Sequence, residues 1–204
     1  MEILLLKNNE KFGSNCYILM SEESFSVIDP SVSYHEALKK NPIISELKPE
    51  YVLLTHGHLD HLWEISSYVE KGMTVLVSDK DGKMLSDPLL NCAYILRGEM
   101  NFYDGSYRTI RGGDSVCVAG TDFKVMETPG HTSGSLSYVS DNEIFTGDTL
   151  FAEGVYGRYD LPTSSGEDLF KSLRKLFMLD ENLTVYPGHG AVTKLKDTKA
   201  FFEK

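Results

Sequence analysis

Residues 55–61, with the sequence THGHLDH, hold three of the chain's six histidines and one carboxylate. The segment follows residues 51–54 (YVLL), a short apolar run that predicts a buried strand. The loop at the carboxyl end of a strand is where open α/β sheets place their ligand sites. Four imidazole and carboxylate groups in one turn exceed what a single tetrahedral ion usually takes from one segment. The spacing therefore predicts ligands for two metal ions and not a polar surface loop.

Three further candidate ligands occupy the same kind of position. His131, Asp148 and His189 each follow a β-type run and lie in a turn that contains glycine. Glycine lets the backbone bend and approach closely, and a strand end holds a side chain in fixed geometry. His35 is isolated from the other histidines, and we expect it at the surface.

A pair of metal ions needs ligands from several segments, and an open position on each ion is typical of a catalytic site. A hydroxide shared between ions about 3.5–4 Å apart would be the nucleophile. Zinc is the expected metal, with iron and manganese as alternatives. Among the ligands, Asp60 and His189 are the candidates for catalytic residues. We expect one ion at His56, His58 and His131, a second at Asp60, His61 and His189, and Asp148 as the bridge between them.

Two polar side chains near these turns each have two explanations. Asp29, directly before Pro30, would either orient a metal-ligating histidine or form a turn. Arg158 would either bind a substrate carboxylate or pair with Asp160. Tyr156, in the same loop as Arg158, is a second candidate for substrate binding.

Composition limits the class of partner. The formal net charge is −10, whereas nucleic-acid binding relies on clustered Lys and Arg. No apolar run approaches the roughly 20 residues needed to cross a membrane. Residues 1–7 lack the basic start of a secretory signal. We therefore expect a cytoplasmic protein that acts on a small-molecule substrate without nucleic-acid or membrane partners; the sequence does not indicate its oligomeric state.

The three cysteines are an odd number at irregular spacing. Cys16, Cys92 and Cys117 form no Cys-x-x-Cys motif. Free buried thiols in a reducing compartment are the expected state, rather than metal ligands or a redox pair.

Alternating apolar runs and turn residues predict strands and helices without an internal linker, which favours a single domain over residues 1–204. The first three strands are expected as an antiparallel meander. Besides residues 51–54, the expected strands are 2–6, 16–20, 25–29, 73–77, 116–118, 123–127, 136–139, 143–146 and 183–186. Helices are expected over residues 33–47, about 61–70, after Ser165 and in the tail 193–204.

Capping signals support two of these helices. Ser33 with Glu36, and Ser165 with Asp168, have the residue types of helix starts, and Pro42 is expected to divide or kink the first helix. Residues 79–111 have no clear period, and we expect a mobile helical or looped segment over the site. That segment contains Pro88, Tyr94, Gly98, Phe102, Tyr103, Gly105 and Tyr107.

The ordered ligand set resembles the metallo-β-lactamase fold superfamily, with all seven positions matching in type and order over about residues 16–190. The resemblance implies an α+β chain folded as a four-layer αββα sandwich: two mixed β-sheets with helices on both outer faces and the metals at one edge. Residues 128–134 (TPGHTSG) and 147–151 (GDTLF) are most similar to short single-domain glyoxalase II-like hydrolases, which are hydroxyacylglutathione hydrolase-like enzymes that cleave thioesters.

Full-length glyoxalase II carries a C-terminal helical region, whereas about fifteen residues follow His189 here, so glutathione specificity stays open.

Three alternatives to a thioester hydrolase also remain open. A lactonase or β-lactamase would share the same metal core. A persulfide dioxygenase of the same fold would hold one iron at His56, His131 and Asp148. The third alternative is a metal-binding domain without enzymatic activity, which the complete ligand set disfavours.

Overall fold

The computed structural model describes residues 1–96 and 103–202. The strands are β1 Glu2–Lys7, β2 Asn15–Met20, β3 Ser24–Ile28, β4 Lys48–Leu53, β5 Thr74–Ser78, β6 Arg108–Ile110, β7 Ser115–Val118, β8 Thr121–Glu127, β9 Leu136–Val139, β10 Glu143–Gly147, β11 Thr184–Pro187 and β12 Thr193–Lys194. The α-helices are α1 Tyr34–Lys40, α2 Leu59–Leu62, α3 Ile65–Val69, α4 Asp79–Gly82, α5 Ala93–Leu96, α6 Gly166–Leu176 and α7 Leu195–Lys199. Short 3₁₀ helices cover Pro42–Glu46 and Ala152–Gly154.

The strands form two six-stranded sheets, both mixed. The first has the order β1-β2-β3-β4-β5-β6, antiparallel from β1 to β3 and parallel from β3 to β6. The second has the order β12-β11-β10-β9-β8-β7, in which only the β10–β11 pair is parallel. The predicted α+β class and the early antiparallel meander are therefore confirmed.

Successive side chains of a strand point to opposite faces, and the central strands of the first sheet are apolar on both. In β2, Ile18 packs towards the helices α1 and α3, whereas Leu19 packs towards the second sheet. The second sheet in turn packs its other face on α6 through residues such as Leu173. Three apolar layers thus separate helix, sheet, sheet and helix, which is the predicted αββα sandwich.

Two helices begin where the capping signals predict. Ser33 accepts a hydrogen bond from the Glu36 amide, and Ser165 accepts one from the Asp168 amide. Pro42 starts a separate 3₁₀ helix after α1, which confirms the predicted division.

The predicted helix over residues 61–70 is wrong in extent, because the chain forms two short helices, α2 and α3. Between them the Glu64 amide donates to the Pro30 carbonyl at 2.8 Å. That bond ties the segment to the end of β3 and replaces the i→i−4 bond of a continuous helix. The break leaves α2 free to place Asp60 and His61 independently of α3.

The region 79–111 contains more regular structure than expected. It holds α4, α5 and the edge strand β6, which pairs with β5. Cys92 and Ile95 do reach the site described below. Gly98 and Phe102 lie outside the described residues. The tail adds the short strand β12 before its predicted helix α7.

The expectation for the cysteines is correct for two of the three. All are free thiols, and Cys16 and Cys92 are buried, but Cys117 is exposed. It lies on the outward face of β7, whose residues alternate between exposed and buried. Within residues 1–96 and 103–202, no helix has the length and apolar character needed to cross a membrane.

Candidate metal centre

Four strand ends deliver the predicted ligands to one edge of the sandwich. Residues 55–61 follow β4 in the first sheet, while His131, Asp148 and His189 follow β8, β10 and β11 in the second. His35 is exposed and lies elsewhere, as predicted. The two sheets therefore meet at this edge with ligands from both.

The first ligand group consists of His56, His58 and His131, all buried. Their candidate ligand atoms lie within 4.8 Å of one another. His58 Nδ1 and His131 Nε2 are 2.9 Å apart, so two rings from different sheets point at the same place. The structure therefore brings together the three residues that the sequence assigned to one ion.

The second group consists of Asp60, His61 and His189, also within 4.8 Å. Asp148 lies between the two groups. Its carboxylate is 3.3 Å from His61 Nε2, 3.5 Å from His131 Nε2 and 3.5 Å from His189 Nε2. This is the place that a bridging ligand needs to occupy.

The donor atoms themselves fit a divalent metal. His56 Nε2, His61 Nε2 and Asp148 Oδ1 are buried without a hydrogen-bond partner among the described residues. A buried polar atom left unsatisfied costs about 1–3 kcal/mol. Imidazole and carboxylate donors suit zinc, iron and manganese, and a bound ion would satisfy these atoms.

The protonation of the two groups differs. Burial, reinforced by the neighbouring imidazoles, lowers the pKa of His58 to about 3 and holds that of His56 well below its usual range. These rings are therefore neutral and offer lone pairs. In the second group, burial opposes the charged form, but Asp148 and Asp60 outweigh it and raise the pKa of His61 and of His189. The same contacts lower the pKa of Asp60 and of Asp148 against the effect of their own burial.

Asp29 orients two of the histidines, so the first of its two explanations holds. Its Oδ2 accepts from His61 Nδ1 at 2.8 Å and from the Thr55 hydroxyl at 2.7 Å. Because that hydroxyl gives its hydrogen to Asp29, its oxygen accepts from His56 Nδ1 at 3.1 Å. When each ring is neutral, as a metal ligand must be, its lone pair is then on Nε2, which faces the centre.

The ring of His131 is fixed by backbone instead. Its Nδ1 donates to the Arg158 carbonyl at 2.8 Å, which leaves Nε2 for the centre. The loop after Asp148 therefore helps to orient a ligand from another strand end.

Sequence reasoning missed Asn15. Its side-chain amide donates to the Pro187 carbonyl at 2.9 Å, and its backbone amide donates to the Gly188 carbonyl at 2.7 Å. The Tyr17 hydroxyl donates to the same Pro187 carbonyl at 2.6 Å. These bonds tie the first sheet to the turn that carries His189. No local pattern singles out Asn15, because the turn that it binds lies more than 170 residues away.

Gly188 shows why that turn needs glycine. A Cβ at this position would collide with Asp148 Oδ1 and crowd the His61 ring. Close approach of this backbone to the bridging carboxylate therefore excludes any larger residue.

The centre opens into a cavity of about 330 Å³. Beyond the ligands, its wall combines apolar side chains with two cations. The lining residues are Lys11, Phe12, Gly13, His58, Asp60, Cys92, Ile95, His131, Asp148, Arg158, Leu161 and His189.

The alternative that pairs Arg158 with Asp160 is observed, since the guanidinium binds that carboxylate through two bonds of 2.8 and 2.9 Å. Arg158 also lines the cavity, and its binding of a substrate carboxylate stays a prediction. Substrate binding by Tyr156 stays a prediction. Its ring packs against Phe170 of α6 at 5.5 Å between centroids and against the apolar layer between α6 and the second sheet.

Comparison with known proteins agrees with this geometry. A family model described as the metallo-beta-lactamase superfamily matches residues 10–189. Hydroxyacylglutathione hydrolase GloC of Haemophilus influenzae is 29% identical over 195 residues, which cover 92% of this chain and 91% of that protein.

Two solved structures share the fold over almost the whole chain. The BLEG-1 B3 metallo-beta-lactamase superposes with a TM-score of 0.87 at 27% identity, covering 98% of this chain and 97% of that one. The protein TTHA1623, crystallised in a di-iron-bound form, gives a TM-score of 0.81 at 28% identity, covering 97% and 96%.

Proposed function

The chain is a metal-dependent hydrolase of the metallo-β-lactamase superfamily, and from that premise we propose that it uses two metal ions to cleave small thioesters. One observation carries the proposal: two three-residue ligand groups meet at Asp148 and open into one cavity. The di-iron form of TTHA1623 supports the count of two ions.

Some residues of the chain would bind the metal ions, and others orient the ligand side chains. His56, His58 and His131 would hold the first ion and Asp60, His61 and His189 the second, with Asp148 touching both. A pair of bound ions lowers the pKa of water to about 7 and polarises a carbonyl oxygen. Asp29 keeps the proton of His61 on Nδ1 by a direct hydrogen bond, and it keeps the proton of His56 on Nδ1 through the Thr55 hydroxyl.

The cavity wall supports a small acyl substrate with an anionic group. Phe12, Ile95 and Leu161 supply apolar surface beside the ligands. Lys11 has no carboxylate within 4.0 Å in the described part of the chain, whereas Arg158 is already bound to Asp160. Lys11 is therefore the more available partner for a substrate carboxylate. The name of the Haemophilus influenzae relative supports a thioester of a carboxylate-bearing thiol.

The test is hydrolysis of a substrate panel by the zinc-, iron- and manganese-loaded protein. The panel contains acyl thioesters of carboxylate-bearing and neutral thiols, a lactone and a β-lactam, with thiol release or ring opening as the signal. We expect thioesters to give the highest kcat/KM. A loaded protein that cleaves no thioester, or one that prefers the lactam or the lactone, contradicts the proposal.

The oxygenase alternative requires only one iron at His56, His131 and Asp148. It leaves Asp60, His61 and His189 without a function, although these three converge as closely as the first group. This favours the two-ion hydrolase. Oxygen consumption by iron-loaded protein with glutathione persulfide, in the absence of thioester cleavage, would reverse that preference.

A further inference from the structure

Asp81 is a buried acid that no step above uses. It lies in α4, directly after β5, and its side chain is fully buried. Burial raises the pKa of its carboxyl group, against hydrogen bonds from the Thr132 hydroxyl and the Gly57 amide, which both reach Oδ2. Its Oδ1 is buried without a hydrogen-bond partner among the described residues. No Lys or Arg forms an ion pair with it within residues 1–96 and 103–202. A carboxyl group in the interior is costly unless its hydrogen bonds are satisfied, so these contacts matter for its presence there.

The contacts of Asp81 join two ligand loops. Its Oδ2 accepts from the Gly57 amide at 3.0 Å and from the Thr132 hydroxyl at 2.6 Å. Gly57 lies between His56 and His58 in the loop after β4, and Thr132 directly follows His131 in the loop after β8. One oxygen atom thus connects loops from the two different sheets.

The hydroxyl of Ser135 stabilises this connection. The Thr132 hydroxyl directs its hydrogen to Asp81, so its oxygen accepts from Ser135 at 2.7 Å. The Thr132 amide in turn donates to the Ser135 oxygen at 3.0 Å. Asp81 and Thr132 repeat, for the loop of His131, the Asp–Thr arrangement that Asp29 and Thr55 form for the loop of His56.

We infer that Asp81 is a positioning residue for the first ion: by holding Gly57 and Thr132 together it sets the separation of His58 and His131. This inference rests on the proposed two-ion function. It predicts that Asp81, which joins the loops after β4 and β8, acts on the first ion and not on the second.

The test measures zinc affinity by chelator competition in two backgrounds, without any turnover. His189→Ala weakens the second group, and adding Asp81→Ala there should weaken binding of the remaining ion by about 10- to 100-fold. His131→Ala weakens the first group, and Asp81→Ala there should change zinc affinity less than threefold. Asp81→Asn should preserve affinity in both, because its amide oxygen can accept both bonds that reach Oδ2.

Other outcomes overturn the inference. Equal losses of zinc affinity in both backgrounds would show a general structural role for Asp81. A loss for Asp81→Asn as large as that for Asp81→Ala would show that its charge, and not its hydrogen bonds, is needed. If Asp81→Ala does not fold, Thr132→Val removes the hydroxyl that binds Asp81 and Ser135 and must give the same selective loss, with recovery in Thr132→Ser. A wild-type protein that cleaves no thioester would contradict the proposed function but leave this affinity measurement intact.

Discussion

At the residue scale, Asp148 is the side chain that lies between both ligand groups. It is buried, and its two oxygens face His61 on one side and His131 and His189 on the other. Asp148→Asn keeps the shape but removes the charge that a bridge between two cations needs. We expect kcat on the best thioester to fall at least about 100-fold, or about 2.7 kcal/mol of barrier, together with a loss of bound metal.

The matched control for this change is Asp141→Asn. Asp141 is an exposed aspartate in the turn between β9 and β10, and its replacement should leave kcat and metal content at wild-type values. Near-normal turnover of Asp148→Asn would refute the bridging role.

A second prediction at this scale separates Lys11 from Arg158. Lys11→Ala should raise KM for a carboxylate-bearing thioester about tenfold, or about 1.4 kcal/mol, and leave KM for its neutral analogue unchanged. Arg158→Ala should raise the same KM less, because Asp160 already holds the guanidinium in an exposed pair. Steady-state kinetics on the two substrates measure both. A larger effect of Arg158→Ala on this KM would show that Arg158, and not Lys11, binds the substrate carboxylate.

The sequence allowed the ligands to be predicted but not most of the residues that orient them. Each ligand stands in a recognisable local pattern of β run, glycine turn and histidine or aspartate. Asp29 had a local signal, its position at a strand end. Asn15 and Asp81 had none, because their partners come from distant segments that only the folded sheets bring together. The packing of Tyr156 on Phe170 could not be predicted either, because chain proximity to Arg158 does not determine which way a loop side chain turns.

At the element scale, α6 closes the outer face of the second sheet and lies beside the loop of His131. The Ser165 side chain caps the helix by accepting from the Asp168 amide, and its own amide donates to the Gly130 carbonyl at 2.8 Å. Ser165→Ala should lower the free energy of unfolding by about 1 kcal/mol, measured by urea denaturation. Ser165→Asn, which keeps an acceptor at the cap, should lose much less. Equal stability of the alanine variant and the wild type would show that the cap contributes nothing.

The elements also show where local patterns lose their predictive value. Strands with apolar residues on both faces were found because a short apolar run is distinctive. The two-residue strand β12 and the edge strand β6 carry too few apolar residues to be noticed. The helix expected over residues 61–70 was split by the bond from Glu64 to Pro30, a tertiary contact that no helical period encodes.

At the scale of the whole molecule, the site exists because two sheets end together. Tyr138 donates from the second sheet to the Leu54 carbonyl at 2.7 Å, and the Leu136 amide donates to the Thr55 carbonyl at 2.7 Å. These bonds, with those of Asn15, fix the ends of both sheets next to the ligands. The layered architecture was predictable only through the family resemblance, since spacing alone does not say how sheets stack. The single domain over residues 1–204 and the cytoplasmic location stay predictions.

The central claim is that this edge holds two ions, and the most direct test is a zinc titration of metal-free protein that counts bound ions per chain. We predict saturation at two ions for the wild type and at one for His189→Ala, which lacks a ligand of the second group only. His35→Ala, which changes the one isolated and exposed histidine, should still bind two. Saturation of the wild type at a single ion would contradict the account.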